Sequence, residues 1–136
     1  MKFERKNTIE EIEVYENMGF KKTDSEIRNP DGSIVFSAKN IEVPEGWSQV
    51  AADVLAQKYF RKAGVPKALK KVHEEGIPVF LQRSIEDKEA LEKFSPDQRY
   101  TSETTATQVF DRLAGAWAYW GWKGNYFDSE QDAKIY

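Results

Sequence analysis

Thiol chemistry is closed to this chain, because none of its 136 residues is a cysteine. Without a thiolate there is no cysteine nucleophile, no thiyl radical, no disulfide and no cysteine-built zinc site. One imidazole remains, His73, in a polar run from Lys70 to Gly76 where a cation suits the negative end of a helix. It reads as solvated surface. Glu10, Glu11, Glu13 and Glu16 crowd near the N-terminus, but they lack the alternating ligand spacing of an EF-hand and read as a solvated acidic face. Gly115, Gly121 and Lys123 imitate a phosphate loop only superficially. Trp122 separates the second glycine from the lysine, and rings fill a loop whose backbone amides would have to converge on phosphate. No catalytic, cofactor-binding or metal-ligating set emerges.

The constellation that does stand out is aromatic: Trp117, Tyr119, Trp120, Trp122, Tyr126 and Phe127 fall within eleven positions beside Lys123. Rings of this size bury about 150 to 250 Å² each, so the cluster has to be covered by core, by a partner, or by further polypeptide. These six residues are the candidate interface. Further polypeptide is the preferred cover, because Asp128 to Gln131 reads as a capping box that starts a helix with barely two turns to run before Tyr136. The alternative function is a stand-alone module that stacks nucleotide or single-stranded nucleic-acid bases on the residues from Trp117 to Phe127. A net charge of −3 gives that alternative no basic groove. An independent enzyme is the weakest expectation.

The elements that position these rings follow from turn chemistry and hydrophobic period. An acidic lead-in precedes Ser25 to Phe36, where Pro30 suits the second position of a type I turn and Gly32 the fourth, predicting a hairpin. Short strands are expected around Phe20 and at Ile41 to Val43. After Pro44 the period becomes helical, with Trp47, Val50, Ala51, Val54, Leu55 and Tyr59 on one stripe of a helix ending near Gly64. Pro66 opens a second, basic helix from Lys67 to Glu75, stopped by Gly76. Ile77 to Leu81 is an apolar connector. Ser84 caps a short helix that Pro96 terminates, and hydroxyls from Thr101 to Thr105 precede a long helix with Val109, Phe110, Leu113, Trp117 and Trp120 on its apolar side.

The expected fold is therefore α+β and mostly helical. A small N-terminal antiparallel hairpin unit over residues 1–44 leads into a helical, bundle-like part over 45–136, together one compact domain. The chain is 40% hydrophobic and 32% charged, which places it among folded rather than disordered proteins. Neither an apolar run of membrane length nor a signal core is present, so a cytoplasmic location is expected.

Three stretches resemble a known family. Residues 41–66 (IEVPEGWSQVAADVLAQKYFRKAGVP) resemble the N-terminal region of adenosylcobalamin-dependent, class II, ribonucleotide reductases. Residues 25–36 (SEIRNPDGSIVF) are similar to the segment before it, and 108–115 (QVFDRLAG) with Trp117, Tyr119 and 120–123 (WGWK) to the segment after it. The resemblance spans about residues 20 to 136 in the same order. It implies a larger oxidoreductase, serving DNA precursor synthesis, that reduces the ribose 2′-hydroxyl with a cobalamin-generated thiyl radical inside a ten-stranded α/β barrel. The family's cysteines find no counterpart here. The chain is accordingly expected to be a non-catalytic N-terminal segment, inactive alone, that docks on a barrel supplied in cis or by a separate chain and that can pair with itself through the Trp-rich surface. Adenosylcobalamin is implied for the full-length family enzyme and not for this chain.

Overall fold

Asn29, Pro30, Asp31 and Gly32 form the tight turn expected of them. The Gly32 N–H donates to the Asn29 carbonyl at 2.9 Å, and Gly32 takes φ 87°, which a Cβ would resist. Asp31 braces the turn by accepting from both the N–H (2.8 Å) and the hydroxyl (2.6 Å) of Ser33. Strands β1 (Phe20–Arg28) and β2 (Ile34–Pro44) run antiparallel from it. The short strands expected near Phe20 and Ile41 are the far ends of these same two, with Phe20 opposite Pro44 and Lys21 opposite Val43. A bulge breaks the register between Thr23 and Ser25. There Asn40 takes φ 55° and donates its N–H to the Asp24 carboxylate at 2.7 Å.

The computed structural model describes all residues from Met1 to Tyr136. They divide into two compact units, neither continuous in sequence: a hairpin unit of residues 17–65 and 100–110, and a terminal unit of 1–16, 66–99 and 111–136. In the hairpin unit the Ser48 hydroxyl caps helix α1 (Gln49–Val54) by accepting from the Ala51 N–H, and the helix widens into a π turn over Leu55–Tyr59. Helix α1 packs on β1 and the π turn on β2. The expected stripe is rotated. Ala52, Leu55, Ala56 and Phe60 are buried with Ile41, Val43, Ala106 and Val109, whereas Val50, Val54 and Tyr59 face outward. Alanines let helix and sheet approach closely, and the bulkier residues are left on the far side. The helical path also ends early: Phe60 is already extended, and Gly64, at φ 74°, turns the chain four residues later.

Two-residue strands β3 (Val65–Pro66) and β6 (Tyr100–Thr101) mark where the chain changes unit. In the terminal unit the basic segment read as a helix is extended instead. Strand β4 (Leu69–Lys71) pairs antiparallel with β5 (Ser84–Glu86), and bonds from Asp87 N–H to the Ala68 carbonyl and from Val72 N–H to the Arg83 carbonyl prolong the ladder. Pairing with a distant segment overrides the local helical preference of Lys67 to Glu75. Gly76 turns at φ 77°, and Val79–Leu81 makes a single 3-10 turn that buries Leu81. The next cap is Asp87, not Ser84: its carboxylate accepts from the Ala90 N–H ahead of α2 (Lys88–Leu91). Helix α3 (Ala106–Lys123) and α4 (Glu130–Ile135) follow. The fold class is α+β, a hairpin followed by helices.

Candidate interaction face

The second half of α3 presents three faces. Ala118 and Trp122, four residues apart, turn inward with Leu81, Ala133, Ile77 and Phe127. The Trp122 indole N–H donates to the Gly76 carbonyl at 2.7 Å, so its polar end is satisfied where the ring is packed. Tyr119 and Lys123, again four apart, are held by Glu74. The Tyr119 hydroxyl donates to its carboxylate at 2.7 Å and the Lys123 ammonium at 3.1 Å, with Arg83 at 3.4 Å. The tyrosine hydroxyl first and the ammonium second hold the Glu74 carboxyl below its ordinary range, and the carboxylate in turn raises Lys123. The third face carries Trp117 and Trp120, three residues apart, 51% and 64% exposed.

Beyond Lys123 the helix ends in a Schellman motif. Tyr126 N–H donates to the Gly121 carbonyl and Asn125 N–H to the Trp122 carbonyl, with Asn125 at φ 57°. Gly121 lies inside the helix, two residues before its end at Lys123. This termination leaves Tyr126 exposed and directs Phe127 back, its ring 5.7 Å from Phe3 and 5.5 Å from Tyr136. The following cap is Ser129 rather than Asp128: its hydroxyl accepts from the Asp132 N–H, and Asp128 instead pairs with the Met1 ammonium at 2.7 Å. Asp132 accepts from the Ser129 hydroxyl and, at 2.8 Å, from the Phe3 N–H; those bonds, the hydroxyl first, lower its carboxyl. The six rings singled out in the sequence thus divide. Trp122 and Phe127 pack internally, Tyr119 is anchored, and Trp117, Trp120 and Tyr126 stand in solvent. Glu74, which arranges one face of the helix, gave no signal in sequence, since its partners lie 45 and 49 positions away.

His73 is exposed, with Gln82 Nε2 3.4 Å from its Nδ1. Glu10, Glu11, Glu13 and Glu16 are all exposed. In the hairpin unit an open groove of about 410 Å³ is lined by residues that include Phe36, Phe60, Lys62 and Glu103. Glu103 is committed there, accepting from the Arg61 N–H at 2.8 Å.

A chain built this way is small and α+β, with exposed aromatic rings on the outer side of α3. Residues 21–136 match the family model for class II vitamin B12-dependent ribonucleotide reductase, and the chain belongs to that family. It is similar to the vitamin B12-dependent ribonucleotide reductases of Bradyrhizobium diazoefficiens and Agrobacterium fabrum, 58% identical to each over all 136 residues. It is 26% identical to that of Streptomyces coelicolor over 113 residues, 82% of the chain. The chain spans 11% of the length of each of these relatives. The cobalamin their names imply does not fit the residues here. The groove offers a lysine and a carboxylate already bound to backbone but no imidazole to meet a cobalt ion, and His73 is exposed and does not line it.

Proposed function

We propose that this chain is a non-catalytic docking segment of a ribonucleotide reductase, seated on the catalytic barrel through Trp117, Trp120 and Tyr126. The observation that carries this is the outward pair of indoles on α3, in a chain that spans 11% of its relatives' length. Covering each half-exposed indole is worth about 2 to 3 kcal/mol before the cost of association. The reduction itself, and the adenosylcobalamin that supports it, belong to polypeptide outside these residues, and the segment alone is inactive. The cytoplasm, where deoxyribonucleotides for DNA replication are made, is its place of action. Base stacking by a stand-alone module is disfavoured, because Lys123, the lysine within the aromatic stretch, is paired with Glu74 rather than left for phosphate.

The test is a calorimetric titration of the chain with the separately produced remainder of the reductase. A saturable complex is expected, weakened about tenfold or more by Trp117→Ala or Trp120→Ala. Nucleotides that quench the indoles at micromolar concentration, with no complex formed, would support the stacking module instead.

A further inference from the structure

Strand β2 is paired with β1 on one edge from Ile34 to Pro44. On its other edge only Glu42 is engaged, its N–H donating to the Thr104 carbonyl at 2.8 Å and the residue bridging Thr105 in parallel. From Val35 to Lys39 the strand lines the open groove with Phe36, Phe60, Lys62 and residues 102–104. The outer edge of β1 is treated differently, since the Gln49 amide covers it by donating to the Asp24 carbonyl at 2.9 Å. Ile34 and Val35 are 53% and 60% exposed. Apolar residues on an unpaired strand are what proteins ordinarily suppress with charge, proline or a covering segment. Charge here is otherwise committed: Lys39 reaches Asp24 and Glu26 at 3.5 and 3.8 Å. Lys62 Nζ lies 4.8 Å over the Phe36 ring, with no carboxylate in ion-pair range.

We propose that the β2 edge from Ile34 to Lys39 receives an extended strand of the reductase polypeptide outside residues 1–136. That strand places an aliphatic side chain against Phe36 and Phe60 and a carboxylate at Lys62. The unpaired edge supplies main-chain bonds, the two phenyl rings an apolar seat, and the lysine a charge that its ring partner leaves unneutralised. Thr104 and Thr105, already beside Glu42, show that this edge takes an extended partner, and the added strand continues that line. The relatives carry most of their length outside the stretch this chain matches, and that length is the source of the strand. The proposal rests on the docking function above and adds a second, chemically distinct contact to it.

Hydrogen exchange of the chain alone, and after mixing with the separately produced remainder of the reductase, tests it. Amides within residues 34–39 are expected to slow about tenfold or more in the mixture. Lys62→Glu is expected to weaken association about tenfold, with Lys62→Arg retaining it. Shielded indoles at Trp117 and Trp120 with unchanged exchange at 34–39 would overturn the strand proposal and leave the docking function standing. No association at all would remove both. Slowing at 34–39 in the chain alone, growing with its concentration, would assign the edge to a second copy and overturn the reductase strand.

Discussion

Gly115 and Gly121 both lie inside α3, and their surroundings assign them opposite roles. A Cβ at Gly115 would meet nothing within 4 Å, so Gly115→Ala is expected to stabilise the chain by about 0.5 to 1 kcal/mol through helix propensity alone. A Cβ at Gly121 would come 2.6 Å from Phe127 Cε2, and that ring is held by Phe3 and Tyr136. Displacing it costs about 1 to 3 kcal/mol, more than the helix gains, so Gly121→Ala is expected to lower stability by about 1 kcal/mol. Urea melts of the two variants check the pair. Asp132 sets an acid dependence at the same scale. Its carboxyl is held below the ordinary 3.8, so its contribution is complete above that value and is lost as pH falls through the lower, folded value. Stability measured from pH ~5 to ~2 is therefore expected to fall less steeply in Asp132→Asn than in the parent chain. An identical slope would mean that the Ser129 and Phe3 bonds do not favour the ionised form.

At the scale of elements, the end of α3 decides which rings face inward, and Asn125 at φ 57° is its pivot. Asn125→Gly is expected to be neutral or slightly stabilising, and Asn125→Val to cost about 1 to 2 kcal/mol, since a β-branched residue resists the left-handed conformation. Thermal melts separate the two. Local chemistry made some elements legible in the sequence: the Pro30 to Gly32 turn and the existence of the long helix α3 both follow from residues within a few positions of one another. What was not legible had non-local causes. Lys67 to Glu75 is helical by local preference, but its stretch from Ala68 to Val72 is held extended by bonds to Arg83 to Asp87. The α1 stripe and the inward face of α3 were misplaced for one shared reason. Large apolar residues suggested the buried side, whereas Ala52, Ala56 and Ala118 occupy it and Val50, Val54, Trp117 and Trp120 do not. For the candidate site, sequence identified the rings but not their division, which depends on Gly76, Glu74 and Phe3 far away in the chain.

For the molecule as a whole, no helix is long and apolar enough to cross a membrane, and the outer surface carries the exposed indoles of Trp117 and Trp120. In isolation the same surface is expected to drive weak, concentration-dependent self-association, visible in small-angle scattering; a monomeric profile at every concentration would count against it. The most direct measurement is acrylamide quenching of variants that each keep one of the three α3 tryptophans, carried out on the chain alone and on the chain in the complex proposed with a catalytic barrel. Trp117 and Trp120 are expected to quench freely in the isolated chain and to become shielded in the complex, with Trp122 shielded in both. Trp117 and Trp120 equally open to acrylamide in both forms would contradict the proposed docking face.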